Sequence, residues 1–347
     1  MLYWLHQKSR IPIIFTAALI VWVCMLFSLA IDWYNIYSFE RSPLRIVLNK
    51  AFITTMYSFV ATFLMFQLVA GQRQISAPYI PTLSRYAFQF VGLGILILGC
   101  ILEINHQFNI HYVNSGLGLL YIEGFIMAAL LALVFAKGVS FFILPASIKQ
   151  LLLAAGILTY VGLISYNYYL QLQVLSNNQF KNLFIIGHIL VAVLAAIVIY
   201  RAVRFPQQSG STAPSSTFFA WLMCIIIVLY ISVEVNMLVR SLFFGSYQNI
   251  ADLQRVFIKT VLPIVWGVCS FAFMWLGMRY RFRPLRIISL SLFTLTLFKL
   301  FAFDIRNIPV AGKILAFFCL GILLLIVSFM YQRLKKLIIE DEKKATE

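Results

Sequence analysis

Long apolar runs, separated by short polar connections, recur along the whole chain. A helix needs about 20 apolar residues to cross a bilayer, because each backbone polar group must be satisfied within the segment. Ten runs approach this length, at positions 11–31, 51–71, 86–102, 118–136, 148–168, 183–200, 217–233, 256–278, 287–303 and 310–331. The pattern predicts an all-α fold, a polytopic integral membrane helix bundle of about ten transmembrane helices.

The first run has a second interpretation. It follows Lys8 and Arg10 and reaches the small-x-small sequence Ser28-Leu29-Ala30, which suits a signal peptidase. The apolar core of a signal peptide spans roughly 7–15 residues, and this run is longer. We therefore expect an anchor that is not cleaved.

Composition agrees with a single membrane domain over residues 1–347. Hydrophobic residues make up 62% of the chain and charged residues 11%, against roughly 45–50% and about 25% in soluble domains. The formal net charge is +16, but the basic residues flank the apolar runs instead of forming one patch. The predicted partner is therefore the lipid bilayer, and nucleic acid is not expected.

The basic residues also predict the orientation of the chain. Alternate connections carry them without acidic neighbours, and lysine and arginine are retained on the cytoplasmic side. These residues are Lys8, Arg10, Arg73, Arg85, Lys137, Lys149, Arg201, Arg204, Arg279, Arg281, Arg283, Arg286, Arg333, Lys335 and Lys336. Both termini are predicted to be cytoplasmic.

An apolar-Glu-apolar-Asn pattern ends the third run at Glu103 and Asn105, and recurs 131 residues later at Glu234 and Asn236. We interpret this spacing as a parallel repeat of two four-helix units, since an even number of spans keeps both copies in one orientation. The predicted divisions are two leading helices (1–85), a first repeat (86–204), a proline- and serine-rich linker (205–216), a second repeat (217–333) and a charged tail (334–347).

Ionisable residues at membrane depth are costly and are functional candidates by default. In the predicted orientation, four carboxylates lie near the outer ends of helices, and two lysines offer the opposite charge. The candidate polar site comprises Glu103, Asn105, His106, Glu123, Glu234, Asn236, Lys259, Lys299 and Asp304. Glu103 and His106 share a helix face, which suits proton exchange or weak cation binding. Ordinary structural roles in interfacial water remain an alternative for the carboxylates.

Familiar catalytic signatures are missing. The chain has no GxSxG, HExxH or Walker-type motif, and its four histidines lack metal-ligand spacing. Its five cysteines lie within apolar runs and form no CxxC pair. We therefore predict no catalytic residues, no metal and no cofactor, and a non-enzyme is favoured.

The C-terminal region resembles a known family. The segments are Arg283-Pro-Leu-Arg-Ile-Ile-Ser-Leu290, Leu297-Phe-Lys-Leu-Phe-Ala-Phe-Asp304 and Gly312-Lys-Ile-Leu-Ala-Phe-Phe-Cys-Leu-Gly321, together with Asp32-Trp33, Leu48-Asn-Lys-Ala-Phe52 and the two Glu-x-Asn helix ends. They are similar to bacterial membrane proteins grouped as domain of unknown function 2339. Lys313 stands where that family usually has arginine, and Ala316 where it has serine.

The resemblance implies a bacterial cytoplasmic membrane protein, either a short member or the C-terminal part of a longer architecture, and it supplies no reaction. Three functions are open. The first is a transporter or channel-like protein with an outward-facing charged site for a small molecule or ion. The second is a non-transporting scaffold or assembly subunit that binds other membrane proteins. The third is a membrane-embedded transferase on lipid-linked substrates, with Glu103 and His106 supplying a general base.

Overall fold

The computed structural model describes residues 2–9, 11–39, 44–69, 74–77, 80–177, 179–208, 216–246 and 250–300, with isolated positions between 314 and 328. Eight helices in this part are long and apolar enough to cross a membrane: Ile13–Tyr37, Lys50–Leu68, Tyr86–His111, Leu117–Phe135, Ala146–Asn177, Lys181–Arg204, Thr217–Phe243 and Ala251–Arg279. The predicted all-α polytopic bundle is confirmed. The tenth predicted run, at 310–331, lies mostly outside the described residues.

The helices run in chain order, with one short hairpin near the N-terminal end. They are α1 (Leu2–Ser9), α2 (Pro12–Tyr34), α3 (Lys50–Leu68), α4 (Arg85–His111), α5 (Leu117–Phe135), α6 (Ala146–Asn177), α7 (Lys181–Gln208), α8 (Ser216–Phe243), α9 (Ile250–Val256), α10 (Leu262–Arg279) and α11 (Arg283–Lys299). Two antiparallel strands, β1 (Gln74–Ala77) and β2 (Ile80–Ser84), precede α4. Single π-helical turns cover Asn35–Phe39 and Phe257–Val261, and a 3-10 turn covers Ser140–Phe142.

The chain divides into two compact units, Met1–Phe205 and Pro206–Glu347. In the first unit, the 3-10 turn between α5 and α6 buries Phe141 completely. Its ring meets the rings of Phe63 and Phe66 on α3 edge-on. Gln89 on α4 donates to the carbonyl of Phe141 at 2.6 Å. Phe141 and Leu144 thus anchor the connection between α5 and α6 in the core, while residues 137–140 are exposed.

Small residues bring α2, α3 and α4 close together. Thr55 and Thr62 on α3 are fully buried, and each accepts a hydrogen bond from an indole on α2. Trp33 Nε1 donates to Thr55 Oγ1 at 2.8 Å, and Trp22 Nε1 donates to Thr62 Oγ1 at 3.0 Å. Gly99 on α4 faces Thr55 with no room for a side chain. Such contacts between small and hydroxyl residues are typical of helix packing in membranes.

Several predicted helix ends are wrong by a few turns. The third run was expected to end at position 102 and the seventh at 233, but α4 continues to His111 and α8 to Phe243. Hydropathy detects the section in contact with lipid, whereas the helix continues as long as its backbone bonds do. Glu103 therefore lies eight residues inside α4, about 12 Å from its end. The eighth predicted run begins at position 256 and places Lys259 near a helix start. In the structure the helical segment begins earlier, at Ile250, so Lys259 lies inside it.

The second unit packs α10 against α8 and α11 through serine hydroxyls. Ser270 Oγ on α10 donates to the carbonyl of Ser289 on α11 at 2.7 Å. Trp266 Nε1 donates to Ser232 Oγ on α8 at 3.1 Å. A buried apolar cluster of Cys224, Phe273 and Ile288 lies among the same three helices.

Two glycines on one helix provide a test of this packing. A Cβ at Gly99 comes within 2.4 Å of Thr55 Cγ2, whereas a Cβ at Gly94 meets nothing within 4 Å. We expect Gly99→Ala to lower the free energy of unfolding in detergent by about 1–3 kcal/mol, because the threonine is pinned by its indole partner. Gly94→Ala should be neutral or stabilising by up to about 1 kcal/mol, since alanine favours the helix. Thermal unfolding measures both, and equal stability of the two variants contradicts this packing.

Candidate functional site

A buried carboxylate on α4 lies at the centre of a hydrogen-bond network. Glu103 is 5% exposed. Its Oε1 accepts from the backbone N–H of Val47 at 3.2 Å and from Gln107 Nε2 at 2.8 Å. Its Oε2 accepts from the hydroxyl of Tyr37 at 3.0 Å and from Asn49 Nδ2 at 2.7 Å. The donors come from the π-helical turn that follows α2, from the segment before α3 and from α4 itself.

The segment before α3 is shaped to deliver these donors. Asn49 is the N-cap of α3, where its Oδ1 accepts from the N–H of Phe52 at 2.8 Å and leaves Nδ2 for Glu103. Val47 has a φ of 64°, a conformation that is unfavourable for a β-branched residue. Its N–H donates to Glu103, so the carboxylate helps to hold this strained turn in place.

An ionised carboxylate has about four lone-pair positions for hydrogen bonds. At Glu103 all four are taken by neutral protein donors. A ligand has to displace one of these donors in order to bind. The arrangement therefore fastens α2, α3 and α4 together, and it does not leave Glu103 in interfacial water.

The expected Glu103–His106 pair is not among these bonds. His106 is 6% exposed and packs edge-on against Tyr37, with ring centroids 5.5 Å apart. Its Nε2 has no hydrogen-bond partner in the part of the chain that the structure describes. His106 thus contacts the network through the ring of Tyr37, which is one of the four donors to Glu103.

A second carboxylate lies deeper in the first unit. Glu123 on α5 is 0% exposed, and its Oε2 accepts from Asn167 Nδ2 on α6 at 2.9 Å. Asn167 is 3% exposed, and its Oδ1 has no hydrogen-bond partner within the described residues. Gln171, 1% exposed, follows one turn later on the same face of α6. Carboxylate and amide groups thus meet in the interior, away from lipid.

Contacts between α6 and the loop before α5 fix the level of this polar group along the two helices. Tyr166 donates to the carbonyl of Gly116 at 2.5 Å, and Gln173 donates to the carbonyl of Asn114 at 3.2 Å. The loop before α5 is thereby tied to α6. Glu123 lies six residues into α5, about 9 Å from the end that carries this loop.

A third helix, α7, packs against α5 at the level of Glu123. A Cβ at Gly124 lies 3.5 Å from Val191 on α7, and a Cβ at Gly187 lies 3.0 Å from Leu120. His188 follows Gly187, and its ring stacks on Phe184 with centroids 5.8 Å apart. Glu103 bonds toward α2 and α3, whereas Glu123 bonds toward α6. The two carboxylates therefore belong to separate networks instead of one acidic cluster.

In the second unit, Lys299 donates to the backbone carbonyl of Ile258 at 2.7 Å. The local sequence explains why this carbonyl is available. In an α-helix it accepts from Leu262, but here the Leu262 N–H donates to Phe257 in a π-helical turn. The next residue, Pro263, has no N–H. The lysine expected to face carboxylates thus satisfies a carbonyl released by the π turn.

The other candidates differ in their surroundings. Glu234 is half-buried and Asn236 is 4% exposed on α8, whereas Asn105, the counterpart of Asn236, is exposed. Lys259 is half-buried in the π-helical turn. Asp304 lies outside the described residues.

The sequence-based candidate set omits Tyr37, Asn49, Asn167 and Gln171. Two signals for them exist in the sequence. Asn167 lies near the end of the fifth apolar run and Gln171 one turn beyond it, a spacing that places both polar residues on one helix face. Asn49 lies in a segment that carries the family resemblance.

Comparison with protein families agrees with the membrane fold. The model of the family described as predicted membrane protein (DUF2339) matches residues 1–334. The chain belongs to this family. The expected resemblance is confirmed, and two of the segments that carry it meet in the structure, where Asn49 donates to Glu103. No curated protein and no solved structure matches this DUF2339 protein.

The Glu103 network predicts a large stability effect. In Glu103→Gln, an amide nitrogen replaces one carboxylate oxygen. This nitrogen is itself a donor and cannot accept from the donors that face it. We expect the free energy of unfolding in detergent to fall by about 3 kcal/mol, because charge-assisted hydrogen bonds are lost and buried donors are left unpaired.

Asp252→Asn is the matched control. Its carboxylate is 54% exposed and lies 3.4 Å from a guanidinium nitrogen of Arg255, and exposed pairs contribute about 0–1 kcal/mol. Unfolding of both variants is followed by tryptophan fluorescence. A Glu103→Gln protein as stable as Asp252→Asn is incompatible with the network.

Proposed function

We propose that this DUF2339 protein is a transport protein of the bacterial cytoplasmic membrane, and that an ion or a small polar solute passes Glu123. The observation that carries the proposal is a fully buried carboxylate at membrane depth, with a neighbouring amide oxygen that has no hydrogen-bond partner in the described part of the chain. Such residues are costly in a membrane and are retained where they line a substrate or ion path.

The contrast between the two carboxylates supports this choice. Glu103 has four donors and fastens helices together, so its burial has a structural explanation. Glu123 accepts from Asn167, whose side-chain oxygen has no hydrogen-bond partner among the described residues. A solute that supplies a donor or a positive charge fits that position.

In the proposed orientation, this site lies toward the outer side of the membrane. The loop before α5 is free of Lys and Arg, whereas the opposite end of the helices carries Arg201, with its guanidinium 3.8 Å from the ring centroid of Phe135. Arginine and aromatic residues together are typical of the cytoplasmic interface. Glu123 then lies about 9 Å below the outer end of α5.

The proposed parallel repeat gives the second unit a related role. Helices α4 and α8 have 27 and 28 residues, begin 131 residues apart and carry Glu103 and Glu234 at matching places. In this proposal, Glu234 and Lys299 belong to a second polar region. The different exposure of Asn105 and Asn236 indicates that the two copies have diverged.

A scaffold or assembly subunit is the second candidate, and the Glu103 network favours it. That network fixes helix positions without leaving a lone pair for a ligand. A scaffold should co-purify with other envelope proteins and show no flux. A transferase is less well supported, because a general base needs a free lone pair and Glu103 has four donors.

The predicted topology is tested by reporter fusions in a bacterial host. A fluorescent protein that matures only in the cytoplasm should be bright at either terminus, since the positive-inside rule places both there. A periplasmic phosphatase inserted at Asn114 should be active. Reversed results at either position contradict an outward-facing site.

Transport is tested with purified protein in liposomes. Electrical currents and uptake are recorded after concentration jumps of Na⁺, K⁺, H⁺, amino acids and sugars. At least one solute should give a protein-dependent signal that falls at least tenfold in Glu123→Gln, because the amide removes the charge at the site. Asp252→Asn, which changes an exposed carboxylate, should leave the signal unchanged. No response to the whole panel, or a response that Glu123→Gln retains, contradicts the proposal.

A further inference from the structure

The amide of Asn167 places a carbonyl oxygen beside the Glu123 carboxylate. Its Nδ2 donates to Glu123 Oε2 at 2.9 Å, and Oδ1 belongs to the same rigid group. That oxygen is buried, since Asn167 is 3% exposed, and it has no hydrogen-bond partner in the described part of the chain. Buried polar atoms nearly always have a partner, so an orphan acceptor indicates a missing donor or cation.

We infer that the space between α5 and α6 binds one alkali cation of sodium size, held by the Glu123 carboxylate and the side-chain oxygen of Asn167. Gln171 contributes a further amide oxygen from the next turn, at the spacing of about 5–6 Å that separates such positions on one helix face. This inference rests on the site of the proposed function and names the ion that it takes.

The chemistry of the group favours a hard cation. Carboxylate and amide oxygens are ligands of hard cations, whereas zinc and related metals prefer sulfur and imidazole. No group of three His, Cys, Asp or Glu side chains suited to a metal exists among the described residues. A site of one carboxylate and two amides therefore differs from transition-metal centres.

Charge balance selects a monovalent ion. One carboxylate and one monovalent cation give a neutral complex, which is the least costly state in an apolar interior. A divalent ion leaves an excess charge in the same place.

Equilibrium binding to the full-length protein in detergent tests the inference, with radioactive Na⁺ as the probe at constant ionic strength set by choline chloride. We expect saturable binding of one Na⁺ per chain, competed by Li⁺ and much less by K⁺. Affinity should fall at least tenfold in Glu123→Gln and in Asn167→Leu, and should be unchanged in Asp252→Asn. Monodisperse elution in size-exclusion chromatography verifies the fold of each variant.

If Glu123→Gln does not give monodisperse protein, Glu123→Asp decides the matter. It retains the charge on a shorter side chain and should bind Na⁺ at least tenfold more weakly. The inference is overturned if the wild type binds no Na⁺, including the case in which the site binds only protons. It is also overturned if Glu123 variants bind Na⁺ as the wild type does. Na⁺ binding without any flux supports the ion site and contradicts transport. Flux without Na⁺ binding supports transport and contradicts the ion site.

Discussion

The constraint that organises the first unit is the need to satisfy a carboxylate away from water. In lipid, a charged group has no solvent to bond with, so protein donors must surround it. Glu103 meets this need with a tyrosine from the π-helical turn that follows α2, a backbone N–H and an asparagine from the segment before α3, and a glutamine on its own helix. Because these donors come from three successive spans, one side chain sets the relative position of all three.

This network also explains details that otherwise lack a reason. A valine stays in a left-handed backbone conformation because its N–H is bound to the carboxylate. One asparagine caps a helix with its oxygen and bonds to Glu103 with its nitrogen. The same logic applies to Lys299, which satisfies a carbonyl exposed by a π turn ahead of a proline. In both units, charged side chains complete hydrogen bonds that the backbone leaves unmade.

Glu123 differs in its neighbour, the buried amide of Asn167. The side-chain oxygen of Asn167 is buried and has no hydrogen-bond partner in the described residues. The structural role that we assign to Glu103 and the ion-binding role that we propose for Glu123 thus follow from the same rule, applied to two different sets of neighbours.

Much of this architecture follows from hydropathy alone. The apolar runs locate the spanning helices, since lipid imposes a length and a composition on them. The helix ends do not follow from hydropathy, because α4 and α8 remain helical after the hydropathy of the sequence has fallen. Glu123 was recognisable as an ionisable residue in an apolar run, but its partner Asn167 is 44 residues away and is found only when α5 and α6 pack. Tyr37 and the Val47 turn likewise acquire a role only through contacts between distant segments.

An experimental density map of the full-length protein in sodium chloride, at a resolution that shows ions, tests the contrast between the two carboxylates most directly. Our account predicts that Glu103 contacts protein donors alone, and that a non-protein density lies within bonding distance of both Glu123 and the Asn167 oxygen. A ligand density at Glu103, or a protein donor on the Asn167 oxygen with no density beside Glu123, contradicts it.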